Sequence, residues 1–93
     1  MFVKLDENRT AQVIVRFGKH DQKKRETSLT VDINQNGIHT NYCSIVFCSP
    51  KDNFSRFNGR KYAMRRLFKK ERLTKEDKRV LSKAILYGKP QNN

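Results

Sequence analysis

The hydrophobic residues of this chain change their spacing near residue 50, and that change constrains the fold more than any other feature. Before it, apolar residues alternate with polar ones, and after it they recur every three to four residues. A period of two buries one face of a strand, whereas a period near 3.6 buries one side of a helix. The stretch Cys48–Glu71 contains the change and opens the most basic part of the chain. We therefore expect strands followed by helices in an α+β fold.

Alternating runs in the first half predict antiparallel strands. Val13, Val15 and Phe17 occupy every second position of one run, so one face of that strand should be buried. We expect three or four strands in one sheet. The predicted strands are Phe2–Leu5, Ala11–Phe17, residues 28–33 and about His39 to Cys48.

A hairpin should join the last two strands. Asn36-Gly37 can take positive φ at both positions of a type I′ turn, which is the strongest short-range hairpin signal. The strand after it is the most apolar run, with Cys43, Ile45 and Phe47 on one face. We therefore expect this strand to be central in the sheet and buried on much of both faces.

The first of two predicted helices follows a proline-containing loop. Asp52 or Ser55 could cap it, because their side-chain oxygens accept hydrogen bonds from the first N–H groups of a helix. Gly59 leaves open whether it begins at Ser55 or only after Asn58-Gly59. We favour the earlier start, with Gly59 allowing close approach to the sheet. Its core-facing side comprises Ala63, Met64, Leu67 and Phe68.

The second helix should run from Thr74 to about Tyr87. Thr74 is a suitable N-cap, and Gly88 and Pro90 supply the stop. Its inward residues are Val80, Leu81, Ala84 and Ile85. The whole chain, 1–93, is predicted to be one domain, with antiparallel strands in 1–50, two basic amphipathic helices in 51–88 and a frayed tail in 89–93.

Positive charge is concentrated in the helical half. The net charge is +12, and residues 51–93 hold fourteen Lys and Arg against four Asp and Glu, whereas residues 1–50 hold seven against five. Such an excess attracts phosphate backbones or acidic protein surfaces. Several cations on one rigid helix, with arginine among them, suit phosphate contact. The candidate nucleic-acid-binding residues are Arg56, Arg60, Lys61, Arg65, Arg66, Lys69 and Lys70, with Lys23, Lys24 and Arg25 in a basic loop.

Three aromatic residues interleave with these cations. Phe54, Phe57 and Tyr62 could stack on unpaired bases. Other interpretations remain open, because a charged helix face is often simply solvated and aromatic residues beside a core stripe are often part of the core. The partner is therefore predicted to be nucleic acid, DNA or RNA, or an acidic protein surface. A homodimer formed through the outer strand edge is a third possibility.

The sequence does not favour an enzyme, a metal site or a cofactor. Cys43 and Cys48 are five residues apart, so in one strand they point to opposite faces and could share neither a zinc ion nor a disulfide. We expect two structural thiols. His20 and His39 show no ligand spacing, and the chain has no phosphate-binding glycine loop, nucleophile elbow or paired carboxylates in an apolar context.

The beginning of the chain also bears on location. Its first residues show neither the charged nor the apolar region of a secretory leader, and no apolar run approaches the roughly 20 residues of a membrane helix. We expect a cytoplasmic protein of a reducing interior without membrane contact.

The entry to the first helix also carries a short motif. Phe54-Ser55-Arg56, Gly59-Arg60, Ala63 and Arg66-Leu67 follow Cys48-Ser49-Pro50 and Asp52. Over about twenty residues this resembles the F-S-R-x-x-G-R-x-x-A box of small uncharacterised bacteriophage-encoded accessory proteins. The resemblance implies a protein of the host-cell cytoplasm that acts on host nucleic acid or occupies a host or defence protein, in the manner of anti-CRISPR or anti-restriction inhibitors.

Overall fold

The computed structural model describes residues 1–18, 25–48 and 56–88. They form a four-stranded antiparallel sheet followed by two helices that pack on one of its faces, which confirms the predicted α+β class. The strands lie in chain order across the sheet. The elements are β1 (Phe2–Lys4), β2 (Arg9–Phe17), β3 (Arg25–Gln35), β4 (Ile38–Cys48), α1 (Arg56–Lys70) and α2 (Lys75–Tyr87).

The β3–β4 hairpin closes at the predicted Asn-Gly turn. Asn36 has φ of 54° and Gly37 has φ of 84°, and the strands pair from Gln35 opposite Ile38 onwards. Positive φ at both turn positions matches the right-handed twist of the flanking strands. The side chain of Asn34 accepts a hydrogen bond from the Gly37 N–H, which further fixes the turn.

The core lies between the helices and one sheet face. Val13 pairs directly with Val31 across β2 and β3, and both are buried. Helix α1 packs on β3 and β4, whereas α2 packs on β1 and β2. Leu67 of α1 and Leu81 and Ile85 of α2 are all fully buried. Burying apolar surface stabilises a fold by about 25 cal/mol for each Å², and this burial holds the helices on the sheet.

Helix α1 begins before Gly59, as favoured from the sequence. Gly59 is buried, and a Cβ on it would lie 2.3 Å from Oγ1 of Thr27 in β3. A methyl group therefore has no room at this point. The absence of a side chain compensates for the poor helix propensity of glycine by letting α1 approach the sheet.

Helix α2 has the predicted caps. Thr74 accepts a hydrogen bond from the Asp77 N–H through its hydroxyl, and Glu76 and Asp77 place negative charge in the first turn. At the other end Gly88 takes a left-handed conformation, and its N–H donates to the carbonyl of Ala84.

The prediction for β4 was wrong in one respect. This strand lies at the edge of the sheet instead of its centre. One of its faces packs under α1, but on the other Ile45 and Phe47 are 42% and 58% exposed, and Cys43 is exposed as well. Cys43 is therefore an exposed thiol and no part of the core. Apolar composition suggested two-sided burial, but the helices cover a single face of the sheet.

None of the helices in the described ranges is long and apolar enough to cross a membrane.

Candidate functional site

The exposed side of α1 carries two parallel rows of side chains. Residues four apart lie on the same side of a helix, so two such series run side by side. The outer row consists of Phe57, Lys61, Arg65 and Lys69. The edge row consists of Tyr62, Arg66 and Lys70 and lies towards β4. The side-chain pairs Tyr62–Arg65 and Arg66–Lys69 are three apart and join the two rows into one surface.

The direction of both rows follows from the apolar stripe of the same helix. Ala63 and Leu67 are fully buried, and Met64 is 9% exposed. A helix that buries this stripe must turn the residues between its members towards solvent. The first turn of α1 contains no acidic residue, and its last turn contains Lys69 and Lys70. Cations in the last turn also complement the partial negative charge at that end of the helix.

The cations of this surface are accessible. Arg65, Arg66 and Lys69 are exposed, and Lys61 is half-buried. In the described parts of the chain, none of these four forms an ion pair with a carboxylate. The ion pairs found there join Arg9 to Asp6 and Asp77, and Arg79 to Glu76, while Asp32 hydrogen-bonds to the ring of His39. The positive charge of the two rows is therefore available to a partner.

An exposed aromatic ring begins each row. Phe57 is 44% exposed and Tyr62 is 54% exposed. They are five positions apart, which at about 100° per residue puts them roughly 140° apart around the helix. The two rings are therefore placed to contact opposite sides of a bound molecule, and they do not form a single stacking platform.

No family model, curated protein or solved structure matches this chain. The geometry and charge of the exposed side of α1 therefore carry its interpretation.

Lys70 differs from the other cations of α1. Its Nζ atom donates to the carbonyl oxygen of Cys43 in β4 at 3.0 Å. The side chain thus reaches across to the edge of the sheet, although it remains exposed. The sequence placed Lys70 among the phosphate contacts, but in this structure it is bonded to the sheet edge.

Arg60 is not part of the exposed surface of α1. Its guanidinium carbon lies 5.8 Å from the centre of the Phe17 ring in β2. Its Nη1 atom lies 3.3 Å from the position that a Cβ on Gly88 would take, beside the C-terminal end of α2. This places a cation against an aromatic face and near the partial negative charge of a helix terminus. The sequence grouped Arg60 with the exposed cations because spacing alone did not show where the contact with α2 falls.

Several predicted site residues lie wholly or partly outside the part of the chain that the structure describes. Lys23, Lys24 and Phe54 lie outside the described residues. Arg25 is the first residue of β3, and Arg56 is the first residue of α1. The backbone places both residues, and the structure describes no contact of their side chains.

A cleft that the sequence did not indicate lies between the β3–β4 hairpin and the α1–α2 connection. Its volume is about 460 Å³, and its lining includes Tyr42, Arg72 and the pair Arg9 and Asp77. Arg9 donates to both oxygens of Asp77 at 2.9 Å, and Asp77 is 4% exposed. Hydrogen bonding to Asp77, and then to Asp6, raises the pKa of Arg9 further above its already high ordinary value. Arg9 and Asp77 are 68 positions apart, so no local sequence pattern could reveal this pair.

No group of three or more His, Cys, Asp or Glu residues placed to hold a metal ion occurs within 1–18, 25–48 and 56–88.

Proposed function

We propose that this protein is a non-enzymatic nucleic-acid-binding module whose α1 helix lies along phosphates. The observation that carries the proposal is the exposed surface of two rows with accessible cations at Lys61, Arg65, Arg66 and Lys69, which pair with no carboxylate of the described chain. A rigid helix holds these charges at fixed spacing, so binding costs little ordering of the protein. Lys23, Lys24 and Arg25 are proposed as a second contact.

The chemistry of the surface suits backbone binding. Arginine presents a planar fork that grips a phosphate in two places, whereas lysine acts as a point charge. The exposed rings of Phe57 and Tyr62 add stacking for unpaired bases, worth about 1–3 kcal/mol for each base. Contacts of this kind position a nucleic acid and carry little sequence information.

Salt-dependent binding tests the proposal. The full chain is titrated into labelled single- and double-stranded DNA and RNA of equal length at four salt concentrations. Four phosphate contacts predict a slope of log K against log salt of about −3 to −4 for duplex DNA, and a shallower one for single strands. A flat response, or no binding to any of the four nucleic acids at physiological salt, would contradict the proposal.

A second candidate function is inhibition of a host or defence protein through an acidic surface. The exposed cations support it equally on charge, and the resemblance of the helix-entry box to phage accessory proteins supports it on context. Pull-down from nuclease-treated host extract separates the two functions. If one host protein stays bound stoichiometrically while purified DNA and RNA do not bind, the result supports the inhibitor function and contradicts nucleic-acid binding.

A further inference from the structure

The outer edge of β4 offers backbone hydrogen-bonding groups that β3 does not use. In an antiparallel pair, alternate residues exchange both backbone bonds with the neighbouring strand, and the residues between them point both groups away. The carbonyl of Cys43 accepts from Lys70, so it points away from β3. The β3–β4 register runs without interruption. Asn41 and Ile45, two positions to either side of Cys43, therefore also direct N–H and C=O outwards.

The side chains beside this edge differ between the two faces of the sheet. On the face without helices, Cys43 and Ile45 are exposed, and Ile45 shows 42% of its surface. On the face covered by helices, Lys70 reaches this strand edge, and Arg66 lies one turn before it on the same side of α1. A strand added here would lie about 4.8 Å from β4. Its side chains would then alternate between an apolar surface and a cationic one.

We propose that β4 is a docking edge for an extended acidic segment of a partner protein, which adds to the sheet as an antiparallel fifth strand. Its backbone bonds to the outward groups of Asn41, Cys43 and Ile45. Its apolar side chains contact Ile45, and its carboxylates face Arg66 and Lys70. Lys70 leaves the Cys43 carbonyl and pairs with a carboxylate of the incoming strand. This site goes beyond the proposed nucleic-acid contact, with which it shares Arg66 of the edge row.

The positive charge of the chain favours an acidic segment over a second copy of the chain as the occupant of the β4 edge. A copy paired through the same edge would bring a net charge of +12 and would place its own edge row next to this one. Like charges brought together disfavour such a pair. Strand addition by an extended segment supplies affinity from the backbone and specificity from alternate side chains.

A designed peptide tests the proposal without knowledge of the natural partner. The probe is fluorescein-labelled Thr-Glu-Val-Glu-Val-Glu-Val-Glu-Thr, and its binding to the full chain is followed by anisotropy. In an antiparallel addition the Val N–H groups face β4 and the Glu N–H groups face solvent. Methylation of the three Val nitrogens should weaken binding by on the order of tenfold or more, since each lost bond costs a few-fold in affinity. Methylation of three Glu nitrogens should change it less than about threefold.

Equal affinities of the two methylated peptides would overturn the proposal, because they share one net charge and differ only in which side of the strand is blocked. A protein variant provides a second arm. Cys43→Pro removes an outward N–H and no bond to β3, so circular dichroism should show an intact fold while peptide binding falls by on the order of tenfold. If the chain is instead a dimer by mass measurement and Cys43→Pro makes it monomeric, a second copy occupies the edge and the proposal is wrong.

Discussion

At the scale of single residues, Gly59 sets how closely α1 approaches the sheet. The hydroxyl of Thr27 lies directly beneath it, and this hydroxyl is buried without a hydrogen-bond partner in the described structure. The sequence suggested a close approach here, because a glycine inside a helical pattern has a cost that packing can offset. It could not identify Thr27, which lies 32 positions earlier in another element.

Gly59→Ala should destabilise the protein. The added Cβ would lie 2.3 Å from Thr27 Oγ1 and 3.3 Å from Thr27 Cβ, so α1 or β3 must shift. Overpacking of this kind costs about 1–3 kcal/mol, and alanine recovers up to about 1 kcal/mol through its helix propensity. Urea unfolding of the variant should show a net loss of stability.

The Thr27→Ala background provides the control for this prediction. Removing the hydroxyl relieves the closest contact, so the same Gly59→Ala substitution should cost less there than in the wild-type chain. An equal cost in both backgrounds would show that Thr27 is not what Gly59 accommodates.

Asp77→Ala should be among the most destabilising changes to a charged residue in this chain. Asp77 is 4% exposed and accepts two hydrogen bonds from Arg9, whose side chain is 25% exposed. Removing the carboxylate leaves a partly buried guanidinium without this partner, and partial solvent access reduces the usual cost to about 2–4 kcal/mol. Asp6→Ala, which removes the exposed partner of the same arginine, should lower the free energy of unfolding far less than Asp77→Ala does. Similar losses in the two variants would contradict a buried structural pair.

At the scale of elements, local patterns were sufficient for most of the fold. Each of the signals that located these elements spans only a few neighbouring residues. They are the alternation in β2 and β3, the Asn36-Gly37 turn, and the caps at Thr74 and Gly88. The position of β4 at the edge could not be predicted in this way. It depends on how many strands form and on which face the helices cover. The apolar residues Ile45 and Phe47 are compatible with both a central strand and an edge strand, so they could not distinguish the two.

A buried hydrogen bond joins α1 to β4 in addition to their apolar packing. The hydroxyl of Ser44 donates to the carbonyl of Ala63 at 2.7 Å, and Ser44 is 4% exposed. Ser44→Ala should cost about 1–2 kcal/mol in urea unfolding, because the bond is lost while the site stays buried. Ser82→Ala is the matched control, since the Ser82 hydroxyl bonds to the Arg79 carbonyl within its own helix at an exposed site. Comparable losses from the two changes would show that the Ser44 contact does not anchor α1.

At the scale of the whole molecule, the distribution of positive charge is the central feature. The sequence predicted that the helical half carries most of the charge, and the structure places Lys61, Arg65 and Lys69 in one row of α1. Two residues that the sequence grouped with these cations make contacts elsewhere in the chain. Arg60 packs against Phe17, and Lys70 hydrogen-bonds to β4. These contacts join distant parts of the chain, so helical spacing could not separate the accessible cations from the occupied ones.

The most direct test of the nucleic-acid proposal compares two variants that each lose three positive charges. One carries Lys61→Ala, Arg65→Ala and Lys69→Ala on α1, and the other carries Lys75→Ala, Arg79→Ala and Lys83→Ala on the exposed side of α2. For duplex DNA, the α1 variant should lose about 2–3 units of salt slope and most of its affinity, whereas the α2 variant should stay within about one unit of the wild type. Equal loss in both variants would mean that net charge alone attracts nucleic acid, and an unchanged slope in the α1 variant would contradict a phosphate-binding α1.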